Sequence, residues 1–286
     1  MNDVSALWSF GEKGDGKLKF PQSIATNTRG HFIVADSGDI KIKVFDSGGH
    51  FLYSFRCVLN DDKHETIDLD TDEAGNMYLL VTVNEMYEVY VFDKHGNWQL
   101  NFPLKEESKG RAVAVDRGTG NVLVLEGEVG AKYNAVVEVY KNDGDFVRSF
   151  GERYLSDAVD IAAARDGRIF VLDKSFNEYG SSWVSVFNRQ GDHLRQFEVI
   201  PYAVAVSFHH GDPYVVVASL PFHVESVNRR AKISLYSVSG GHWRTIDLGA
   251  RGVALKESIA VTENGCITVA LTVDFSRELQ NKVIVL

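Results

Sequence analysis

The chain has 286 residues, of which 44% are hydrophobic and 11% aromatic, and its formal net charge is −9. This composition supports a large core, and no apolar run reaches the roughly 18 residues that a membrane-spanning helix needs. The first residues lack the basic and apolar regions of a secretory signal, and the chain has only two cysteines. We therefore expect a cytoplasmic protein with reduced thiols and no membrane contact.

A unit of about 45 to 50 residues recurs six times along the chain, which is the period of a repeat protein. The unit alternates apolar strands with turns, and its first and third turns contain glycine, the third in the first five copies. The first copy has strands at 24–25, 32–36, 42–45 and 51–55, and its turn glycines are at 30, 48 and 49. The first turn glycine recurs as Gly75, Gly120, Gly167, Gly211 and Gly265, and the second recurs as Gly96, Gly144, Gly191 and Gly240.

The fourth strand of the unit ends in an aromatic residue, and four short strands per unit are typical of propeller blades. These aromatic residues are Phe55, Phe102, Phe150 and Phe197. The sixth copy stops after its third strand, and its missing outer strand is at the start of the chain, where Leu7 to Gly11 resembles Val147 to Gly151. The sequence predicts an all-β fold, a six-bladed β-propeller of four-stranded antiparallel blades, with residues 1–286 as a single domain and the last blade closed by the N-terminal strand.

The run from Val34 to Phe45 reads VADSGDIKIKVF and resembles the signature of an NHL repeat. Asp39 stands where the family usually has Asn, and Lys41 stands where it has Arg. The segment from Phe20 to Ala25 is similar to the opening of the family's repeat. The first copy is the close one, since Val81 replaces the signature Asp in the second blade.

NHL propellers often form the C-terminal domain of tripartite-motif proteins, which carry a RING ubiquitin ligase module upstream. The resemblance therefore implies a non-catalytic recognition platform, and it favours a role in substrate recruitment for such a ligase. Known NHL domains bind proteins, or single-stranded or hairpin RNA, usually on one face of the ring. We take a protein partner as the leading hypothesis and RNA on the same face as the alternative.

The loops between second and third strands of a propeller share a face with the loops that join consecutive blades. These are the longest and most irregular segments of this chain, and variable loops on a rigid scaffold are where recognition usually occurs. We expect the ligand to contact cationic and aromatic side chains of these loops. They are Lys13, Arg56, Lys109, Arg111, Tyr133, Arg153, Tyr154, Tyr202, Arg230 and Arg251.

The charge of the chain bears on the choice of partner. Nucleic-acid binding draws most of its affinity from phosphate neutralisation by a basic patch, so the acidic balance counts against RNA and no DNA is expected. The candidate face itself is roughly balanced in charge. Its aromatic residues suit base stacking, and they equally suit a protein interface, where Tyr, Trp and Arg dominate the hot spots. A third interpretation is that many of these charges simply pair with neighbouring acids in solvent.

Two aspartates interrupt the small residues of the innermost strands. By alignment, Asp68 stands at the position of Ala25, and Asp160 stands at the position of Ser23. Such carboxylates are costly unless they are paired or hydrated. They are either satisfied structural groups or part of a polar channel that binds an ion or a ligand. Acidic residues also end the second strands of blades 1, 3 and 4. We expect them to be structural: they either cap the following turn or pair with the next strand, as Asp36 could with Lys41. They are Asp36, Glu126 and Asp173.

The enzymatic alternative is a metal-dependent lyase or hydrolase centred on the channel. Such a site needs His or carboxylate ligands that converge from several inner strands. The nine histidines are instead scattered over outer turns and both faces. No GxSxG, P-loop or CxxC motif is present. We therefore expect no catalytic residues, no metal and no cofactor.

Overall fold

In this computed structural model, the described residues are 8–57, 64–106, 108–128, 134–174, 181–208, 214–219, 230–251, 253–254, 258–275 and 278–286. Over these ranges the structure contains strands, turns and no helix, and the strands form six antiparallel sheets. Nothing in the described ranges is therefore a helix that is long and apolar enough to cross a lipid bilayer. The predicted all-β, six-bladed fold is confirmed.

The first strand in the chain, β1 (Trp8–Phe10), belongs to the last sheet. Blade 1 consists of β2 (Pro21–Thr26), β3 (Phe32–Asp36), β4 (Lys41–Phe45) and β5 (Phe51–Phe55). Blade 2 consists of β6 (His64–Thr71), β7 (Met77–Val83), β8 (Met86–Phe92) and β9 (Trp98–Pro103). Blade 3 consists of β10 (Ser108–Asp116), β11 (Asn121–Glu128), β12 (Ala135–Tyr140) and β13 (Phe146–Phe150).

Blade 4 consists of β14 (Asp157–Ala163), β15 (Ile169–Lys174), β16 (Ser182–Phe187) and β17 (His193–Val199). Blade 5 consists of β18 (Ala203–Phe208), β19 (Tyr214–Ser219), β20 (Arg230–Ser237) and β21 (His242–Arg251). The inner strand of blade 6 has two pieces, β22 (Val253–Ala254) and β23 (Ile259–Val261), which both pair with β24 (Ile267–Phe275). Then β25 (Glu278–Val285) and β1 complete the sheet.

The two ends of the chain meet in blade 6. β1 runs antiparallel to β25, with Trp8 opposite Val285 and Phe10 opposite Val283. The side chain of Phe10 is 7% exposed, and its ring centroid lies 4.9 Å from that of Phe32 and 4.8 Å from that of Phe45. The N-terminal strand therefore closes the ring as predicted, and it also packs against the next blade.

The repeated glycine and the repeated aromatic residue fit each other across five of the six blade boundaries. Gly49 has φ +78°, and a Cβ at this position would lie 2.9 Å from Phe10 of the preceding blade. The same relation joins Phe55 to Gly96, Phe102 to Gly144, Phe150 to Gly191 and Phe197 to Gly240. The turn therefore needs glycine for two reasons, its left-handed backbone and the close approach of the ring. This fit explains why both residues recur with the same period.

The hydrophobic core lies between adjacent blades. For example, Ile33 and Ile42 of blade 1 pack in one buried cluster with Leu79 and Val81 of blade 2. Burial of each such side chain contributes about 1.5–3 kcal/mol. Because the packed faces are those between sheets, the innermost strands are free to line a central channel.

Arg117 bridges four blades at the end of the channel where the first and second strands turn. Its Nη2 donates to the carbonyl of Thr26 at 2.8 Å, and its Nε donates to the carbonyl of Thr71 at 3.1 Å. Its Nη1 lies 3.2 Å from the carboxylate of Glu263. One guanidinium from blade 3 therefore holds blades 1, 2 and 6 together on the face opposite the candidate surface.

Candidate functional site

The loop face is formed by the described segments that leave the second strands and those that join consecutive blades. It includes residues 11–20, 37–40, 56–57, 104–106, 151–156 and 200–202. Direct contacts connect the two kinds of loop. The carboxylate of Asp36, at the end of β3, accepts the N–H of Lys19 at 2.9 Å and that of Phe20 at 2.6 Å. Asp173, at the end of β15, accepts the N–H of Ser156 at 2.6 Å.

Asp36 also forms a buried ion pair, and its partner is Lys43 rather than the predicted Lys41. The Lys43 Nζ lies 2.7 Å from Asp36 and 2.5 Å from Asp39, and the Lys43 side chain is 2% exposed. Asp39 pairs in turn with Lys19 on the surface. The NHL-like signature residues of blade 1 therefore fix the shape of the loop face, and they do not form a free binding surface.

Four of the predicted ligand-binding residues lie near the outer rim of the ring. Lys13, Arg56, Arg153 and Tyr154 follow the outer strand of one blade, beside the outer turn of the next. Lys13, Arg56 and Arg153 are exposed and form no ion pair with the described residues. Tyr154 is 51% exposed, and its ring stacks on that of His193 with centroids 4.1 Å apart.

The other predicted residues lie elsewhere or are already engaged. Arg111, at the inner edge of blade 3, donates to the carboxylate of Asp157 at 3.0 Å and to the carbonyl of Ala158 at 2.7 Å. It therefore joins blades 3 and 4. Lys109 precedes it in β10 and is exposed. Inner and outer strands of a four-stranded sheet are about 14 Å apart, so the structure does not bring all of these cations together.

Three of the last four predicted residues lie in or beside blade 5. Tyr202 lies in the loop that enters blade 5, is partly buried and has a positive φ of 60°. Arg230 and Arg251 are opposite each other in β20 and β21. Tyr133 lies outside the described residues.

Asp68 and Asp160 occupy equivalent positions, which corrects the alignment made from the sequence. Each follows a β-bulge in its inner strand, as Ser23 does in blade 1. Asp68 accepts the N–H of Val113 at 2.9 Å, and Asp160 accepts that of Val206 at 2.6 Å. Each carboxylate thus binds the backbone of the following blade, which supports the structural interpretation.

The residue at the position of Ala25 is instead Asp70, which the sequence analysis missed. Its carboxylate accepts the N–H of Val115 at 2.9 Å. Burial raises the pKa of both Asp68 and Asp70, and their mutual repulsion adds to the shift of Asp68. The channel beside them has a cavity of about 80 Å³, room for a few water molecules. Among the described residues, no group of three or more His, Cys, Asp or Glu side chains is placed to hold a metal ion.

A second cavity, of about 370 Å³, opens on the loop face of blade 3. We call it the blade 3 pocket; its lining includes Lys105, Ser108, Glu126, Asn134 and Glu152. Glu126 is 1% exposed, and within the described part of the chain its Oε2 has no hydrogen-bond partner. Burial raises the pKa of Glu126 to about 7; the charge of Glu138 also raises it, and the Ser108 and Tyr140 hydroxyls lower it. The sequence shows that Glu126 ends the second strand of blade 3, but it does not show that this carboxyl group is buried or that one of its oxygens lacks a donor.

No protein-family model matches the chain. Over 191 residues it is 25% identical to "Protein brain tumor" of Drosophila melanogaster, an alignment that covers 66% of this chain and 13% of that protein. Over 159 residues it is 28% identical to "NHL repeat-containing protein 3" of Homo sapiens, covering 52% of this chain and 44% of that protein. The chain is a six-bladed β-propeller that resembles NHL-repeat proteins in sequence, and we call it NHL-type for this resemblance. The resemblance predicted from the signature of blade 1 is therefore confirmed, and this NHL-type propeller spans less than half the length of either relative.

Solved structures with the same fold have diverse names. The NHL-type propeller superimposes on a luciferin-regenerating enzyme with a TM-score of 0.61 at 10% identity, covering 94% of this chain and 91% of that one. The WD40 β-propeller domain of Doa1 gives a TM-score of 0.58 at 14% identity, covering 96% and 80%. A streptogramin B lyase gives 0.57 at 13% identity, covering 93% of both chains. Identities this low show the fold alone.

Proposed function

We propose that this NHL-type propeller is a non-catalytic platform that recruits a protein partner through its loop face. The observation that carries the proposal is the surface shared by blades 3 and 4. Tyr154 is half exposed there and is braced by His193, and it follows Arg153 in the same loop. Tyrosine and arginine are enriched among interface hot spots, and a side chain held in place before binding loses less entropy when the partner arrives.

The charge arrangement favours protein over RNA. Several cations of the loop face are engaged within the chain, namely Lys19 with Asp39, Lys43 with Asp36, Lys105 with Glu138 and Arg111 with Asp157. A carboxylate pocket on the same surface would repel a phosphate backbone. Alternating acids and bases are what a protein surface of mixed charge complements.

The resemblance to tripartite-motif proteins extends the proposal to substrate recruitment for a ubiquitin ligase. In that arrangement the RING module would belong to the same polypeptide, and this propeller would select the protein to be modified. We propose that residues 1–286 form one recognition domain and that the protein is cytoplasmic, as the composition predicts.

Site-specific photo-crosslinking tests the protein-recognition proposal. A benzoyl-phenylalanine at position 154 should give a discrete protein adduct in cells, and Arg153→Glu should remove it. The same probe at position 98, where Trp98 is 51% exposed at the start of β9, is the matched control. Identical adducts from both positions, or none from position 154, would contradict the proposal.

RNA binding is the second candidate. The observation in its favour is that four exposed cations form no ion pair with a described residue, namely Lys13, Arg56, Lys109 and Arg153. About four phosphate contacts to a single strand would make log K fall with log salt at a slope near −3. A random RNA pool titrated at low salt measures this slope. If RNA binds in this way and Tyr154 gives no protein adduct, the second candidate replaces the first.

Metal-dependent catalysis is the third candidate, and the names of two fold neighbours motivate the test. The aspartates that line the channel already bind the backbone of the next blade. We therefore expect elemental analysis of the purified protein to give substoichiometric metal. A full equivalent of zinc or calcium, lost on Asp68→Asn, would contradict the non-catalytic proposal.

A further inference from the structure

Glu126 departs from its counterparts in the other blades. It occupies the same register position as Asp36 and Asp173. Both oxygens of each aspartate accept backbone N–H groups of the incoming loop. Glu126 is longer by one methylene, and its buried Oε2 accepts no hydrogen bond from any residue that the structure describes. A buried carboxylate oxygen without a donor costs stability, so the role of the aspartates does not explain this residue.

The facing strand shows the same departure. Lys43 of blade 1 and Glu138 of blade 3 occupy the same register position, opposite Val34 and Val124. Blade 1 therefore buries an acid with a base, whereas blade 3 buries Glu126 with a second acid. Lys105 reaches in from the loop and bonds to Glu138. It supplies one cation for two carboxylates, so the cluster lacks one positive charge.

The tyrosine between the two carboxylates does not compensate for the missing positive charge. The Tyr140 hydroxyl lies 2.6 Å from the Oε2 of Glu138 and 3.3 Å from the Oε1 of Glu126. A phenol has a single proton to donate, and the shorter contact takes it. Apart from the long Tyr140 contact, Glu126 has the Ser108 hydroxyl beside it, and its Oε2 still has no partner among the described residues. Glu126 is also the acid that lines the blade 3 pocket.

We propose that the blade 3 pocket receives an arginine side chain of the protein partner, with the Oε2 of Glu126 as its principal acceptor. This inference deepens the proposed function and rests on it, because it names the chemistry of the partner at the same surface. The pocket lies beside Tyr154, since Glu152 from the same loop forms part of its wall.

Arginine fits this pocket better than lysine does. A guanidinium is planar and weakly hydrated, and it carries five donors in a fixed fork, so it loses less on entering a buried site. One edge can bind Glu126 while the other remains near Glu152 at the exposed rim. Lys105 already places an ammonium group at this site, but that group is paired with Glu138.

Small probes test the pocket without the partner. Acetyl-arginine methylamide is titrated into the full chain, and its neutral isostere acetyl-citrulline methylamide is the control. The readouts are the ¹³C signal of the Glu126 carboxyl and the amide signals around it. Among the described residues, the charged or titratable groups around Glu126 are Lys105, Glu106, Glu138, Tyr140 and Glu152. We expect the arginine probe to lower the apparent pKa of Glu126, and we expect its affinity to rise about tenfold from about pH 6 to pH 8 as this carboxyl ionises.

Three variants complete the experiment. Glu126→Gln should abolish the response to the arginine probe, and Glu126→Asp should weaken it strongly because the carboxylate retracts toward the strand. Asp143→Asn, in the exposed outer turn of the same blade, should leave it unchanged. An equal response to both probes, or a response that survives Glu126→Gln, would overturn the inference. The inference would also be wrong if Lys132→Gln raised the pKa of Glu126 while the arginine probe left that pKa unchanged. That result would mean that the chain's own Lys132, and not a partner's arginine, neutralises Glu126.

The two proposals fail separately. If position 154 crosslinks a protein while the arginine probe ignores the pocket, the arginine inference is wrong and the recognition surface stands. If the probe binds through Glu126 while position 154 yields no adduct, the pocket is real and the proposed protein-recognition function is wrong.

Discussion

The ammonium of Lys43 lies 2.7 Å from the carboxylate of Asp36, and both side chains are almost fully buried. The pair is held between strands β3 and β4, and the same carboxylate binds the backbone of the loop that enters blade 1. Two consecutive strands and one loop therefore depend on a single buried ion pair.

Replacement of Lys43 by methionine should lower the free energy of unfolding by about 3–5 kcal/mol, because it leaves the charge of Asp36 buried without a counter-ion. Lys41→Met is the matched control, since Lys41 lies two residues away in the same strand and is only partly buried. Urea denaturation of the three proteins measures the difference. Equal destabilisation by both variants would contradict the assignment of Lys43 as the partner.

Phe10→Ala should destabilise the protein by about 3–5 kcal/mol, the usual cost of removing a large aromatic side chain from a core. Phe10 packs on Phe32 and Phe45, and it covers the turn at Gly49. Ser9→Ala, in the same strand but exposed, should change stability little. If thermal denaturation shows no loss for Phe10→Ala, the N-terminal strand does not support the closure of the ring.

Asp160→Ala should cost about 1–3 kcal/mol, because the N–H of Val206 would then be left without an acceptor. Asp166→Ala is a suitable comparison, since that side chain is 52% exposed in the next turn of the same blade, and exposed ion pairs contribute little. Hydrogen exchange at Val206 gives a local readout. Unchanged protection of this amide would show that the bridge between blades 4 and 5 is dispensable.

Glu126→Gln should change how stability depends on pH. Folding raises the pKa of Glu126 from 4.5 to about 7, so the folded chain keeps a proton that the unfolded chain has lost. The free energy of unfolding of the wild type should therefore fall, by up to about 3 kcal/mol, as pH rises from about 4.5 to about 7, and then stay flat.

The glutamine variant should lack this pH-dependent loss. Its free energy of unfolding should therefore exceed that of the wild type by the largest amount above pH 7. Glu152→Gln, at the exposed rim of the pocket, should keep the wild-type profile. Urea denaturation at a series of pH values measures all three proteins. Parallel profiles for wild type and Glu126→Gln would show that Glu126 ionises normally in the folded state.

Much of the architecture could be predicted because it depends on local chemistry that repeats. A turn that contains Gly49 or Gly96 needs a positive φ and room for an aromatic ring, and both requirements leave a mark in five of the six copies of the unit. The position of Trp8 to Phe10 in the last blade could be predicted in the same way, because the segment carries the outer-strand pattern that the sixth copy lacks.

The positions of the inner-strand aspartates could not be predicted in this way. The side chains of a strand alternate with a period of two residues, so a shift of two keeps every residue on its own face. The pattern alone therefore could not decide whether Asp68 matches Ser23 or Ala25. The register of the sheets decides it, and it places Asp68 with Ser23 and Asp70 with Ala25.

The sequence by itself determined the number of blades, the closure of the ring and the likeness to NHL repeats, since all three depend on periodic local patterns. Only the tertiary structure decided which charges are neutralised. Lys41 is the direct cross-strand neighbour of Asp36, yet its charge stays partly in water, while packing between blades buries Lys43 and forces it onto the carboxylate. The same packing leaves Glu126 beside a second acid with an oxygen unbonded, because burial depends on residues that are far apart in the chain.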